Sequence, residues 1–316
     1  MISGYFTKEA LKIGAQIFKA AFFSFINNRA LSLSASLAFY TIFSLAPLLL
    51  LMISLTGIFF GRDAMQGKVF SEINGMVGND AARQIQDTIK SLETSGKSTI
   101  SVIIGIVTLI IGAVSVFGEI QDSVNIIWRV RVRPEKGWGK LIADRLLSLS
   151  IVIILGFLLL VSLFVNGALL AINDRLKNFL PDVTILLFTV LNVVISFIVT
   201  FVIFGVIFKV IPDVKIRWKD IVPGAVFTAF LFMLGRLLIV IYIEGSGAIS
   251  TYGAAGSLIV ILLWIYYTAA IFYFGAEVTR AYADFKGLKI TPAKFAVQVE
   301  EKEQHPETEA LPGGHK

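Results

Sequence analysis

The chain has 316 residues, 56% of them hydrophobic and only 16% charged, with a formal net charge of +6 and no cysteine. Soluble domains carry roughly 25% charged residues, and a chain this apolar cannot cover a core with polar surface, which excludes a soluble enzyme, a disordered chain and a low-complexity repeat. The absence of cysteine removes disulfides, thiolate metal sites and a cysteine nucleophile, and the only two histidines, His305 and His315, sit in the polar tail, leaving no His-rich metal cluster and no buried Ser-His-Asp triad.

Residues 1–32 place Leu11, Ala15, Phe18, Phe22, Phe25 and Ile26 at helical spacing, with Lys8, Lys12 and Lys19 on other faces. That pattern predicts an amphipathic helix lying in the membrane interface. The same lysines interrupt the apolar run that a signal peptide would need. A hydrocarbon core of ~30 Å takes ~20 apolar residues of helix. Six stretches qualify: Leu33–Phe60, Ile100–Glu119, Leu146–Ile172, Val183–Ile211, Ile221–Ile243 and Ser257–Val278. The expected fold is therefore all-α, a polytopic membrane domain of six transmembrane helices over 33–285.

Between the first two spans, loop 61–99 carries two short helical stripes, Val69, Ile73 and Val77, then Ala82, Ile85, Ile89 and Leu92. It reads as an external helical cap packed on the spans. Trp138 and Trp218, each among Lys and Arg ahead of a span, are placed as interfacial rings. The tail 286–316 is charge-balanced and holds Pro306, Pro312 and a glycine pair, and disorder is expected from Thr291 onward.

Orientation follows from basic residues in the connections. Segments 1–32, 129–145, 209–220 and 279–316 hold twenty Lys and Arg, whereas the alternate loops 61–99, 173–182 and 244–256 hold seven. Both termini are thus expected in the cytoplasm, which an even number of spans satisfies. The positive charge is a topology signal and an attraction to anionic headgroups, and no nucleic-acid partner is expected.

Charge inside hydrocarbon is costly, at least ~2.5 kcal/mol per group on an insertion scale. Arg236 stands between Phe230-Leu231-Phe232-Met233-Leu234 and Leu237-Leu238-Ile239-Val240-Ile241, in the outer half of its span. It is either a structural group holding helices together or a binding site for an anionic substrate. Glu244, eight residues on, is a partner it can approach, with Asn166 and Asn192 as polar neighbours. In the first span Pro47 frees the Phe43 carbonyl, making either a static kink or a hinge beside a cavity, and Tyr40 lies two turns before it. At the inner ends, Glu119, Asp122, Glu277 and Arg280 form a polar cluster, read either as a gate or as a salt-bridged helix end. Arg129, Arg131, Arg133, Lys136 and Lys140 follow the second span as candidate lipid-headgroup contacts.

Several of these segments resemble the YihY/virulence factor BrkB family of bacterial inner-membrane proteins. The matching pieces are Ala38-Phe39-Tyr40 with Ser44-Leu45-Ala46-Pro47, Phe117-Gly118-Glu119 with Ile127-Trp128, and Pro212-Asp213 with Trp218 and Pro223-Gly224-Ala225. Tyr252-Gly253, Gly256-Ser257, Leu263-Trp264, Tyr267 and Gly275-Ala276-Glu277 complete the pattern, which covers about residues 20–285. The resemblance implies six spans with cytoplasmic ends. Members of the family have carried a ribonuclease BN label, and others have been discussed as transporters or export factors, including for lipids. The ribonuclease reading is rejected here: a zinc nuclease of the β-lactamase type needs clustered His and Asp ligands, which two tail histidines cannot supply.

No Walker A sequence is present, so any ATP-driven step needs a separate partner. The expected function is a transporter or flippase-like factor for an amphiphile or lipid with an anionic headgroup, with no catalytic residue and no cofactor. The alternative is a non-transporting membrane scaffold or envelope-integrity factor. Expected partners are membrane lipids, with a second copy of the chain or envelope proteins also open.

Overall fold

The computed structural model describes residues 3–60, most of 66–74, 79, 82–87, 90, 115–132, 181–246, 254–293 and 296–299. Helix α1 spans Ser3–Asn27 and α2 spans Ala30–Phe60. Residues 115–127 are helical and are labelled α3. Strand β1 is Val130–Val132, α4 is Pro181–Val210, β2 is Val214–Lys215, α5 is Trp218–Ser246, and α6 is Ala254–Phe285. Strands β3, Thr291–Pro292, and β4, Ala296–Gln298, close the order.

Three helical segments among the described residues are long and apolar enough to cross a membrane: Val190–Val210, Trp218–Ile239 and Leu258–Phe285. The first, fourth, fifth and sixth expected stretches fall on α2, α4, α5 and α6, and α3 takes in the end of the second. The third stretch and most of the second lie outside the described residues, as do Val77, Ile89 and Leu92 of the expected cap.

Helix α6 is the hub, packed against α5, α2 and α1, while α4 packs on α5. The α5–α6 crossing is made possible by two glycines. A Cβ on Gly224 would overlap the Thr279 hydroxyl and the Gly275 carbonyl, and a Cβ on Gly275 would overlap the Thr228 hydroxyl. Each threonine sits four residues after its own glycine and donates its Oγ1 proton to that glycine's carbonyl, Thr228 to Gly224 and Thr279 to Gly275, both at 2.8 Å. Small residues at i and i+4 on both helices let the backbones meet, which is how helices associate where lipid removes the hydrophobic drive. Further along, Tyr267 covers Gly235 and donates to the Leu231 carbonyl at 2.8 Å.

Two apolar clusters lie along the bundle. Near one end, Phe208 of α4 stacks on Phe272 of α6, centroids 5.3 Å apart, among Phe204, Ile127, Trp128 and Ala225. Toward the other, Ile85 packs with Ile239, Val260, Ile261 and Trp264, and Val69 and Ile73 lean on the same group. Residues 82–87 are helical and bury Ala82 and Ile85, so this part of loop 61–99 does rest on the α5 and α6 helices. Helix α1 buries Ala21 and Phe25, sets Phe25 edge-on to Phe274 of α6, and leaves Phe22, Phe23 and Ile26 exposed.

To the all-α expectation the structure adds two antiparallel ribbons, which correct the expected disorder at Thr291–Pro292 and Ala296–Gln298, while 300–316 lie outside the described residues. Val130, Arg131 and Val132 of β1 pair with Gln298, Val297 and Ala296 of β4, and Val214 and Lys215 of β2 pair with Pro292 and Thr291 of β3. Gly287, at φ 62°, closes α6: the Gly287 and Leu288 amides donate back to the Asp284 and Ala283 carbonyls. Such a left-handed stop favours glycine and reverses the chain. The tail then satisfies backbone groups that the connections after α3 and α4 would otherwise expose: the Ala293 amide donates to the Asp213 carbonyl and the Val299 amide to the Arg129 carbonyl, both at 2.8 Å. Ala296 is buried in the first apolar cluster.

Candidate functional site

The ribbons gather the α1–α2 joint, the end of α3, the α4–α5 connection and the end of α6 at one face of the bundle. Two of these junctions share a turn. At Asn28-Arg29 and again at Trp128-Arg129 the first amide donates to a carbonyl four residues back and the second to one three back, and both arginines have φ 50°. The left-handed region is unfavourable for a residue with a Cβ by roughly 1–2 kcal/mol, so packing at this face holds both turns in place.

What holds them includes a chain of buried polar groups on α6. Glu277 is 1% exposed. Its Oε1 accepts a hydrogen bond from Asn28 Nδ2 at 2.5 Å, and its Oε2 is buried without a hydrogen-bond partner. One turn on, Arg280 donates from Nη1 to the Ile127 carbonyl at 2.6 Å, and its Nε lies 3.5 Å from Asp284 Oδ2. Ile127 ends α3, where carbonyls lack intrahelical partners and the helix dipole is negative, so a guanidinium is suited to that position. The end of α3 is also tied to the α4–α5 connection: Asn125 Nδ2 donates to Asp213 Oδ2 at 2.8 Å while the Asp213 amide donates to Asn125 Oδ1 at 2.9 Å. The hydroxyl of fully buried Tyr273 faces Ser123 of α3 without reaching hydrogen-bond geometry.

Two clefts flank this lock. The larger, of about 420 Å³, is lined by Asn28, Asp122, Asn125, Ile126, Arg129, Val130, Arg131, Val132 and Val299. The smaller, of about 280 Å³, lies between α1 and α6 and is lined by Gln16, Ile17, Ala20, Ser24, Glu277, Arg280, Ala281, Asp284 and Phe285. The Asn28–Glu277 bond thus joins a wall residue of one cleft to a wall residue of the other. Arg129, Arg131 and Asp122 are exposed, Glu119 is half-buried, and Asp122, Ile126 and Arg129 follow one another four and three residues apart along α3 and its exit.

The structure therefore brings together the expected inner-end residues Glu277, Arg280, Asp122, Arg129 and Arg131. It does not bring Arg236 to them. Arg236 is half-buried on α5 and makes no hydrogen bond or ion pair with any described residue, while the side chain of its expected partner Glu244 lies outside the described residues. Asn192 is exposed and accepts a hydrogen bond from Ser196 Oγ at 3.2 Å. Tyr40 is exposed on α2, and its carbonyl accepts from Ser44 Oγ at 2.9 Å. Pro47 falls within α2 but its side chain lies outside the described residues, as do Asn166, Arg133, Lys136 and Lys140. Among the described residues no group of three or more His, Asp or Glu side chains is placed to hold a metal ion. Asn28, Asp213, Thr228 and Thr279 were not singled out from the sequence as site or packing residues. The repeated glycine-x-x-x-threonine at Gly224 and Gly275 was a readable signal, whereas nothing local to Asn28 foretells its partner 249 residues away.

Residues 21–296 match the family described as Virulence factor BrkB. A UPF0761 membrane protein of Verminephrobacter eiseniae is 28% identical over 253 residues, covering 78% of this chain and 57% of its own length. Another from Rhodospirillum centenum is 24% identical, with coverage of 84% and 57%. A third, from Pseudomonas aeruginosa, is 26% identical, with coverage of 85% and 63%. The chain thus spans less than two thirds of the length of these relatives. No solved structure matches it.

Proposed function

The chain is an integral membrane protein of the virulence factor BrkB family, and from that premise we propose that it moves an amphiphile with an anionic headgroup, a lipid, across a bacterial inner membrane. The observation that supports this reading is the larger cleft, in which the guanidinium-bearing residues Arg129 and Arg131 line the same cavity as Ile126, Val130, Val132 and Val299. A phosphate suits the guanidinium fork, and the apolar wall suits the start of an acyl chain. In this reading the domain has six spans with both termini in the cytoplasm, as the twenty-to-seven bias of basic residues favours. Helix α1 then lies at the inner surface, its exposed Phe22, Phe23 and Ile26 toward lipid, and the ribbon face receives headgroups from the inner leaflet. Arg236 meets the headgroup deeper in the bilayer. The role is non-enzymatic.

Reconstitution tests this. Proteoliposomes holding lipids labelled on the acyl chain should move label between leaflets faster than protein-free liposomes, and Arg236→Ala should slow the movement. Rates equal to protein-free liposomes across a panel of anionic and zwitterionic lipids would refute it.

A further inference from the structure

Glu277 stands between the two clefts. Its Oε1 is committed to Asn28, a wall residue of the larger one, and Glu277 itself lines the smaller one. It is 1% exposed, and its Oε2 is buried with no hydrogen-bond partner among the described residues. Buried carboxylate oxygens ordinarily have a donor, so this one is open to a proton or to a group that brings one. The smaller cleft supplies a route: Gln16 of α1 and Asp284 of α6 are its exposed walls, and Glu277, seven residues before Asp284, is its buried one.

The surroundings narrow the ligand to the proton itself. Helix α1 and its exit offer only the neutral Gln16, Ser24 and Asn28. The charges that act on Glu277 are Arg280 and Asp284 of α6 and Arg129 beyond α3. Arg280 is anchored on the Ile127 carbonyl and beside Asp284. A hard metal cation takes about six oxygen ligands, whereas one free oxygen suffices for a proton, and two guanidinium groups disfavour any larger cation.

Resting on the transport reading above, we propose that Glu277 takes up a proton through the smaller cleft and that this proton binds together with the anionic headgroup in the larger one. Both act on the same guanidinium, since Arg129 lines the larger cleft and also lies within electrostatic reach of Glu277. Ionised, Glu277 offsets part of that positive charge. Protonated, it leaves the charge to the phosphate. Protonation also takes the charge out of the bond to Asn28, at a wall of the lipid cleft. Linkage makes the effect mutual, because a bound headgroup raises the affinity for the proton by the same factor. The proton is thus the coupling ion, and Glu277 is the group through which it acts.

Binding of acyl-chain-labelled phosphatidylglycerol to the purified full chain tests this as pH falls from about 9 to about 4. The unmodified chain should bind roughly fivefold more tightly at the acid end, the order expected for one unit charge across a partly hydrated site. Glu277→Gln should bind at the tighter level at every pH. Asp122→Asn, which neutralises a carboxylate lining the larger cleft, should keep the pH response. In weakly buffered solution near the midpoint, adding the lipid should draw protons from the medium with the unmodified chain, a readout that needs no variant to fold. Binding that is equal at every pH, lipid addition that draws no protons, or a pH response that survives Glu277→Gln or vanishes in Asp122→Asn overturns the proton site and leaves lipid transport standing. Binding at no pH overturns both readings.

Discussion

Asn28 Nδ2 donates to Glu277 Oε1 at 2.5 Å, joining the turn that opens α2 to the last turns of α6 across 249 residues of sequence. Asn28 is the only hydrogen-bond donor that Glu277 has among the described residues, since Oε2 is buried without one. Asn28→Ala removes it and leaves a buried carboxylate with no donor, at a cost of about 2 kcal/mol. Glu277→Gln keeps an acceptor for Asn28 and should cost less. Unfolding in detergent followed by tryptophan fluorescence checks the order, and Asn28→Ala unfolding like the unmodified chain would contradict the role given to this bond.

The glycines separate into two groups. Gly224 and Gly275 lie where any Cβ overlaps the facing helix, whereas a Cβ on Gly14 or Gly118 meets nothing within 4 Å. Gly275→Ala should therefore destabilise the bundle by about 1–3 kcal/mol through overpacking. Gly14→Ala and Gly118→Ala should be neutral or stabilising by up to ~1 kcal/mol, because alanine is the better helix former. Thermal unfolding of these variants in one detergent decides it, and the same sign for Gly275 and Gly14 would count against the close crossing.

The tail ribbon can be weakened at one hydrogen bond. Val299→Pro removes the amide that donates to the Arg129 carbonyl. Hydrogen exchange should then quicken in 129–132, while α6 over 258–285 keeps its protection. Unchanged exchange in 129–132 would mean that the ribbon does not hold the end of α3.

A half-buried charge is expensive in lipid, so Arg236→Met should leave the chain at least as stable as the unmodified one. Its effect should appear in lipid movement. A variant that unfolds by more than ~1 kcal/mol earlier yet transports normally would make Arg236 a structural group.

How much of this was legible in the sequence depended on the range of the interaction. Long apolar runs are local, so α2, α4, α5 and α6 could be placed from composition alone. The inner-end cluster was partly legible because Glu277 and Arg280 are three apart on one helix and Asp122 and Arg129 leave the same one. Their partners were not, since Asn28 and the Ile127 carbonyl reach α6 only through the tertiary fold. The ribbons were missed because the polar, proline-bearing tail dominated the composition, while the pairing of Ala296–Gln298 with Val130–Val132 is a contact between short strands 164 to 168 residues apart in sequence.

The most direct test of lipid movement through the cleft compares proteoliposomes of the unmodified chain with the double variant Arg129→Gln, Arg131→Gln, using acyl-chain-labelled phosphatidylglycerol and quenching of the outer leaflet. Transport by the cleft predicts exchange well above protein-free liposomes and a fall of at least tenfold in the double variant. Exchange at the protein-free rate, or an equal rate in both proteins, would contradict it.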